Sequence, residues 1–268
     1  MDELLVDSLS LMTGVRIAAF VLGCVFGSFY NVVIHRLPSG QSIVRPASKC
    51  PACGNAIAAY DNIPLVSYML LGGRCRRCKE SISLRYPVVE GLSGLLALLL
   101  LNRYGLRPQA AIEFFFCSLL LIITMIDLDT MEIPDLLSLP GIALGFFLSF
   151  LTPRLLWWES LLGILAGGGV FYLIATGYAL LRHKEGLGGG DIKLLAMIGA
   201  FTGFKGVAFT ILVSSVLGMI IAPPLMWRSG KGLGSALPFG PFLAFGAVSY
   251  IFWGELFYHW YFSDLLGI

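Results

Sequence analysis

Charge is scarce in this 268-residue chain: 13% of its residues are charged and 57% are hydrophobic. An ordinary soluble domain carries roughly a quarter charged residues, so a water-soluble globule is excluded. The mean hydropathy of +0.84 points the same way. Basic residues are missing from the start, where residues 1–7 hold three acidic residues and no Lys or Arg. No small-residue cleavage site follows the first apolar run, so that run is expected to be a retained span and not a signal peptide. Histidine is rare too, and His35, His183 and His259 fall in loops or the final tail. No serine or cysteine stands in a recognisable nucleophile motif, which argues against covalent hydrolase chemistry. No strand followed by a glycine-rich turn of the soluble methyltransferase type occurs either.

What is present is a series of long apolar runs. A bilayer core of about 30 Å needs about 20 apolar residues per helix, and backbone groups in lipid must be satisfied internally, so helices are expected. Spans are placed near 14–34, 87–102, 110–126, 136–152, 160–181, 191–204, 207–227 and 238–256. The expected fold is an all-α polytopic membrane protein of about eight transmembrane helices, with a small cytoplasmic zinc-binding domain between the first and second. The domains divide as 1–34 for the first helix, 35–86 for the insert and 87–268 for a seven-helix membrane domain.

Positively charged short loops stay on the cytoplasmic side. If residues 35–86 are cytoplasmic, that side holds thirteen Lys and Arg, among them Arg36, Arg74, Arg77, Lys184, Lys193 and Lys231, against five on the other. Both termini then lie outside, as an even number of spans requires.

The insert contains Cys50-Pro51-Ala52-Cys53 and Cys75-Arg76-Arg77-Cys78, two C-x-x-C pairs separated by twenty-one residues. Two such knuckles commonly supply four thiolates to a tetrahedral zinc. Two disulfides are the alternative, suited to an oxidising compartment; a cytoplasmic insert, whose thiols stay reduced, favours zinc. An insert of this size with few large apolar residues gains folding energy from metal, so the zinc is expected to be structural, one per chain. Cys24 and Cys117 fall within spans and read as small packing residues.

Ionisable residues in or at the edge of spans are functional candidates, because charge at membrane depth is expensive. Asp127 ends the third span and Asp191 opens the sixth, both at the cytoplasmic boundary. Two adjacent carboxyls share a proton, which leaves one acid and one base to activate a water. Gly188 and Gly190 precede Asp191 and would let a peptide backbone approach closely. Taken singly, each aspartate also reads as an end-of-helix residue favoured by the helix dipole, and the glycine run as a flexible linker.

Five stretches in order resemble the type IV prepilin peptidase family. They are residues 27–38, GSFYNVVIHRLP, with His35 where tyrosine is more usual; the two knuckles enclosing Asn62-Ile63-Pro64; residues 82–90, ISLRYPVVE; the Asp127 segment leading to Ile133-Pro134-Asp135; and Gly188-Gly189-Gly190-Asp191, a G-x-G-D motif. The resemblance implies an aspartyl protease of the bacterial inner membrane, with Asp127 and Asp191 as the catalytic pair facing the cytoplasm. It implies leader cleavage of type IV prepilins and of type II secretion pseudopilins, and N-methylation of the new terminus with S-adenosylmethionine. Asn31, Arg85 and Glu90 are polar candidates near that second activity, with structural roles equally open, while Asp129 and Asp135 read as loop solvation and helix capping. The expected partners are these protein substrates and the lipid bilayer; no nucleic-acid partner is expected. An ion-coupled transporter, a membrane scaffold and a presenilin-like protease are the rival readings.

Overall fold

The computed structural model describes residues 2–182, 188–228 and 237–265. His183, Lys184 and Lys231 lie outside the described residues. Helices dominate, and among the described residues β-structure is limited to two isolated bridges, Lys49 with Ala56 and Arg74 with Ser81. The chain forms two compact units, residues 1–122 and 123–268.

In the first unit, α1 (Asp2–Arg36) packs along α3 (Arg85–Tyr104). Their crossing is built on small residues: an added Cβ on Gly23 would meet the Ser93 carbonyl oxygen at 2.7 Å, and one on Gly27 would meet Glu90 Cα at 2.7 Å. Such positions let backbones close up where lipid offers no hydrophobic drive for association. Ser93 Oγ donates to the Gly23 carbonyl at 2.7 Å, which satisfies a hydroxyl inside the pair. Between the two helices runs the insert, with a 3-10 turn at Ala59–Asn62 and one short α-helix, α2 (Val66–Leu70). The unit closes with most of α4 (Pro108–Thr130), whose proline suits a first helical position that needs no N–H partner.

The second unit holds α5 (Asp135–Ser149), α6 (Trp157–Ile164), a π-helical turn at Leu165–Val170, α7 (Phe171–Arg182), α8 (Gly189–Arg228) and α9 (Gly240–His259). α5, α6 and α9 all pack against α8, whose first stretch supplies the buried side chains Leu194, Leu195, Met197 and Ile198. α6 crosses α8 backbone to backbone at Gly163 and Gly199, which would collide with each other's carbonyls if either carried a Cβ. Ser160 Oγ donates across the same crossing to the Ala200 carbonyl at 2.7 Å.

Each of the eight expected spans coincides with a helical stretch, yet among the described residues five helices are long and apolar enough to cross a membrane. The difference has three causes. α3 carries Arg85, Glu90 and Arg103. α5 has only 15 residues. The expected spans 191–204 and 207–227 form one helix, α8, broken at Gly203, where φ 69 and ψ −175 leave the helical region. Only glycine adopts that conformation readily.

Candidate active site and metal centre

Four helix ends meet at one place in the second unit. Asp127 lies in the last turn of α4 and is only 4% exposed. The chain then folds back through Met131, at φ 55, whose N–H donates to the Asp127 carbonyl at 2.9 Å. Pro134 begins the next helix from an extended conformation. This return brings Ile133 over the glycine loop, where an added Cβ on Gly190 would meet Ile133 Cβ at 3.0 Å. One turn on, Lys193 Nζ on α8 pairs with Asp135 Oδ1 on α5 at 2.6 Å. Asp135 is thus an ion-pair partner, while the N-cap position belongs to Pro134, which makes no side-chain cap. Asp129 is exposed.

The fourth end is that of α9. Its first residue, Gly240, donates its backbone N–H to Asp127 Oδ2 at 2.9 Å. A hydrogen bond from the amide end of a 20-residue helix orients the carboxylate and places it at the positive pole of the dipole. A Cβ on Gly240 would stand 2.5 Å from the same oxygen. Sequence reasoning missed this residue, because a glycine between Phe239 and Pro241 reads as an ordinary helix start. The Asp135–Lys193 pair was equally hidden, its partners being 58 positions apart.

Asp191 sits in the first turn of α8, half-buried, and its N–H donates to the Gly188 carbonyl at 3.1 Å. A Cβ on Gly188 would lie 3.2 Å from Asp191 Oδ2. The Asp191 carboxyl lies within the electrostatic field of Asp127. The structure therefore brings together Asp127, Asp191, Gly188 and Gly190. Two carboxyls in mutual range beneath a glycine loop can divide the work of base and acid on one water.

The four insert cysteines also converge, with their Sγ atoms all within 4.8 Å of one another and Cys50 Sγ 3.7 Å from Cys78 Sγ. Four sulfurs each 2.3 Å from a tetrahedral zinc would be separated by about 3.8 Å, so the cluster fits such an ion. The two knuckles repeat each other. Cys50 exchanges backbone bonds with Asn55 and Gly54, and Cys75 does so with Glu80 and Lys79, each near 3 Å. The residue after each second cysteine, Gly54 or Lys79, has positive φ. This turn aims amide N–H groups at sulfur: the Asn55 N–H, aided by the Asn55 side chain, pulls the Cys53 thiol down to about 6. Donors aimed at sulfur favour the thiolate, the form that binds metal. Arg76 braces the second knuckle through a bidentate pair with Asp61 at 2.7 to 3.0 Å.

Asn31, Arg85 and Glu90 belong to the first unit. Asn31 Nδ2 donates to the Tyr86 carbonyl at 3.1 Å and Glu90 Oε2 accepts from the Leu65 N–H at 2.8 Å. Cys24 and Cys117 are buried, consistent with packing residues.

Against family models, residues 21–104 match the Bacterial Peptidase A24 N-terminal domain and residues 114–223 match the Type IV leader peptidase family. The chain is 36% identical over 279 residues to a protein named Prepilin leader peptidase/N-methyltransferase from Burkholderia pseudomallei (strain K96243), covering 93% of this chain and 89% of that one. It is 38% identical to a protein of the same name from Stutzerimonas stutzeri, with 89% and 91% covered. A third, from Pseudomonas aeruginosa, is 35% identical, with 89% and 90% covered. No solved structure matches the chain.

Proposed function

Because this chain belongs to the type IV leader peptidase family, we propose that it removes the leader of type IV prepilins and pseudopilins and N-methylates the residue so exposed. The observation that carries the peptidase reading is the meeting of Asp127 and Asp191 at four helix ends, with Asp127 gripped by the Gly240 amide. The substrate keeps its basic leader in the cytoplasm and its apolar segment in the bilayer, which brings the scissile bond to the membrane edge. One carboxylate takes a proton from water, and the oxygen attacks the carbonyl of the residue before the cleavage point. The other carboxyl protonates the carbonyl oxygen; as the C–N bond breaks, the first group passes the proton it took from water to the leaving amine, and the second recovers its proton from the collapsing hydroxyl, so the pair is restored. No covalent enzyme intermediate forms.

In this reading the enzyme is a multi-pass protein of the bacterial inner membrane, with its active site facing the cytoplasm and both termini outside. Cys50, Cys53, Cys75 and Cys78 hold one zinc. Four thiolates fill its tetrahedron and leave no position for a reacting water, so its role is structural. S-adenosylmethionine, when bound, supplies the methyl group; that half of the activity rests on family membership, and no residue of this chain is assigned to it.

The test is a co-expressed prepilin whose N-terminus is read by mass spectrometry, which reports cleavage and methylation together. The D127N and D191N variants should insert in the membrane yet leave the leader attached. Cleavage retained by either purified variant would sink the catalytic assignment.

A further inference from the structure

The insert is held to the membrane helices at a definite depth. The Leu65 N–H, at the entrance to α2, donates to Glu90 Oε2 at 2.8 Å, and Glu90 is buried in α3. The Leu65 side chain reaches the next residue of α3, since a Cβ on Gly91 would meet Leu65 Cδ2 at 3.9 Å. α1 lies against the same turn of α3, since a Cβ on Gly27 would meet Glu90 Cα at 2.7 Å, so both helices border the clasp. Leu65 adopts φ 60 to make these contacts, a strained conformation for leucine that persists only where its surroundings enforce it.

Glu90 is the sixth residue of α3, so at 1.5 Å per residue it lies about 7.5 Å along the helix from Arg85. α2 therefore starts level with the second turn of α3 and not beyond its end. From there α2 leads toward Ile82, whose carbonyl accepts from the Tyr68 hydroxyl at 3.3 Å, and along it Val66 is 44% exposed, Met69 70% and Leu70 81%. Leu84, which leads into α3, is 70% exposed, and Val88 and Leu92 continue an exposed apolar stripe down the helix. Basic residues mark the same boundary, Arg36 closing α1 and Arg85 opening α3. An apolar segment at headgroup depth, flanked by basic residues and continuous with a lipid-facing stripe, has the character of an interfacial anchor.

We propose that α2 is immersed in the boundary between headgroups and acyl chains, where Val66, Met69 and Leu70 meet lipid. The Glu90–Leu65 clasp holds it there, and the zinc knuckles are thereby carried at a fixed height above the bilayer. This assignment is independent of the catalytic one.

The experiment places the photo-crosslinker p-benzoylphenylalanine at Leu70, at Arg77 on the second knuckle, and at Leu22 on the exposed face of α1. The full-length protein is reconstituted in phosphatidylethanolamine–phosphatidylglycerol vesicles, irradiated and analysed by mass spectrometry. Lipid adducts at positions 70 and 22, with none at 77, are expected. Adducts at 22 without adducts at 70 would overturn the proposal. So would equal labelling at 70 and 77, which would mean the insert lies flat on the membrane. Capture of an added prepilin at position 70 in place of lipid would also overturn it, by making α2 a substrate surface. Glu90→Ala should abolish the adduct at 70 while that at 22 remains.

Discussion

Gly240 offers the sharpest test of the aspartate site, because it acts on Asp127 without removing it. Ordinary contact between a Cβ and a neighbouring heavy atom begins at 3.4 Å, whereas a Cβ on Gly240 would stand 2.5 Å from Asp127 Oδ2. Gly240→Ala must therefore push the carboxylate back by about 0.9 Å, or shift the start of α9, and either movement breaks the 2.9 Å bond from the Gly240 amide. Misplacing a reacting group by about 1 Å costs on the order of a hundredfold in rate, or about 2.7 kcal/mol of transition-state stabilisation. The loss should fall on kcat for prepilin cleavage, with KM little changed, because substrate binding does not depend on that oxygen. Gly218→Ala is the control. Its Cβ would meet the Phe239 ring at 3.7 Å, an ordinary contact, and activity should stay within about a factor of two. A Gly240→Ala enzyme with normal kcat, or with a raised KM alone, would refute the view that α9 holds a reacting carboxylate.

Three further outcomes are expected. Lys193→Ala should lower cleavage severalfold by releasing α5 from α8, and exchanging the charges with K193D and D135K together should recover part of the loss; half-exposed pairs contribute only about 0.2–1 kcal/mol, so loss of all activity in Lys193→Ala would point to a direct role in the chemistry. Cys50→Ser should abolish the one zinc per chain measured by metal analysis and render the insert protease-sensitive, since metal affinity is folding energy in such small lobes; disulfides without metal would overturn the centre. The Arg76 guanidinium holds the Asp61 carboxyl below its usual range, so the stabilisation of the insert is present above about pH 4, the ordinary aspartate value, and fades as the pH falls through the lowered one. Limited proteolysis on acidification should show that loss, and Arg76→Ala should remove the part due to Asp61, leaving the part due to protonation of the zinc thiolates.

The cysteines were legible in the sequence because a knuckle is local: two thiols three positions apart and one tight turn complete it, and only the pairing of knuckles is long-range. The aspartates stood out as carboxylates at the edges of apolar runs, but each alone also read as a helix-end residue, and it was the surrounding motifs that singled them out as candidates. The bend in α8 was also visible in outline, since two spans, 191–204 and 207–227, were expected where the helix breaks at Gly203. What stayed hidden depends on tertiary approach. Gly240 gains its meaning from an oxygen 113 positions away, and Asp135 from Lys193. Glu90 has the same history, since nothing in a Tyr-Pro-Val-Val-Glu run announces that its carboxylate will receive the amide of Leu65.

The break at Gly203 also sets a length. Residues 189–202 rise only about 21 Å and the 15 residues of α5 about 22 Å, against a hydrocarbon core of about 30 Å. Two neighbouring helices too short to cross oblige lipid to thin beside them or leave their ends below the headgroups, and both are forms of hydrophobic mismatch. An apolar substrate helix of full length arriving at this shallow stretch overshoots it by about 8 Å. Under the proposed function, that overhang would leave the end that carries the leader at the membrane edge.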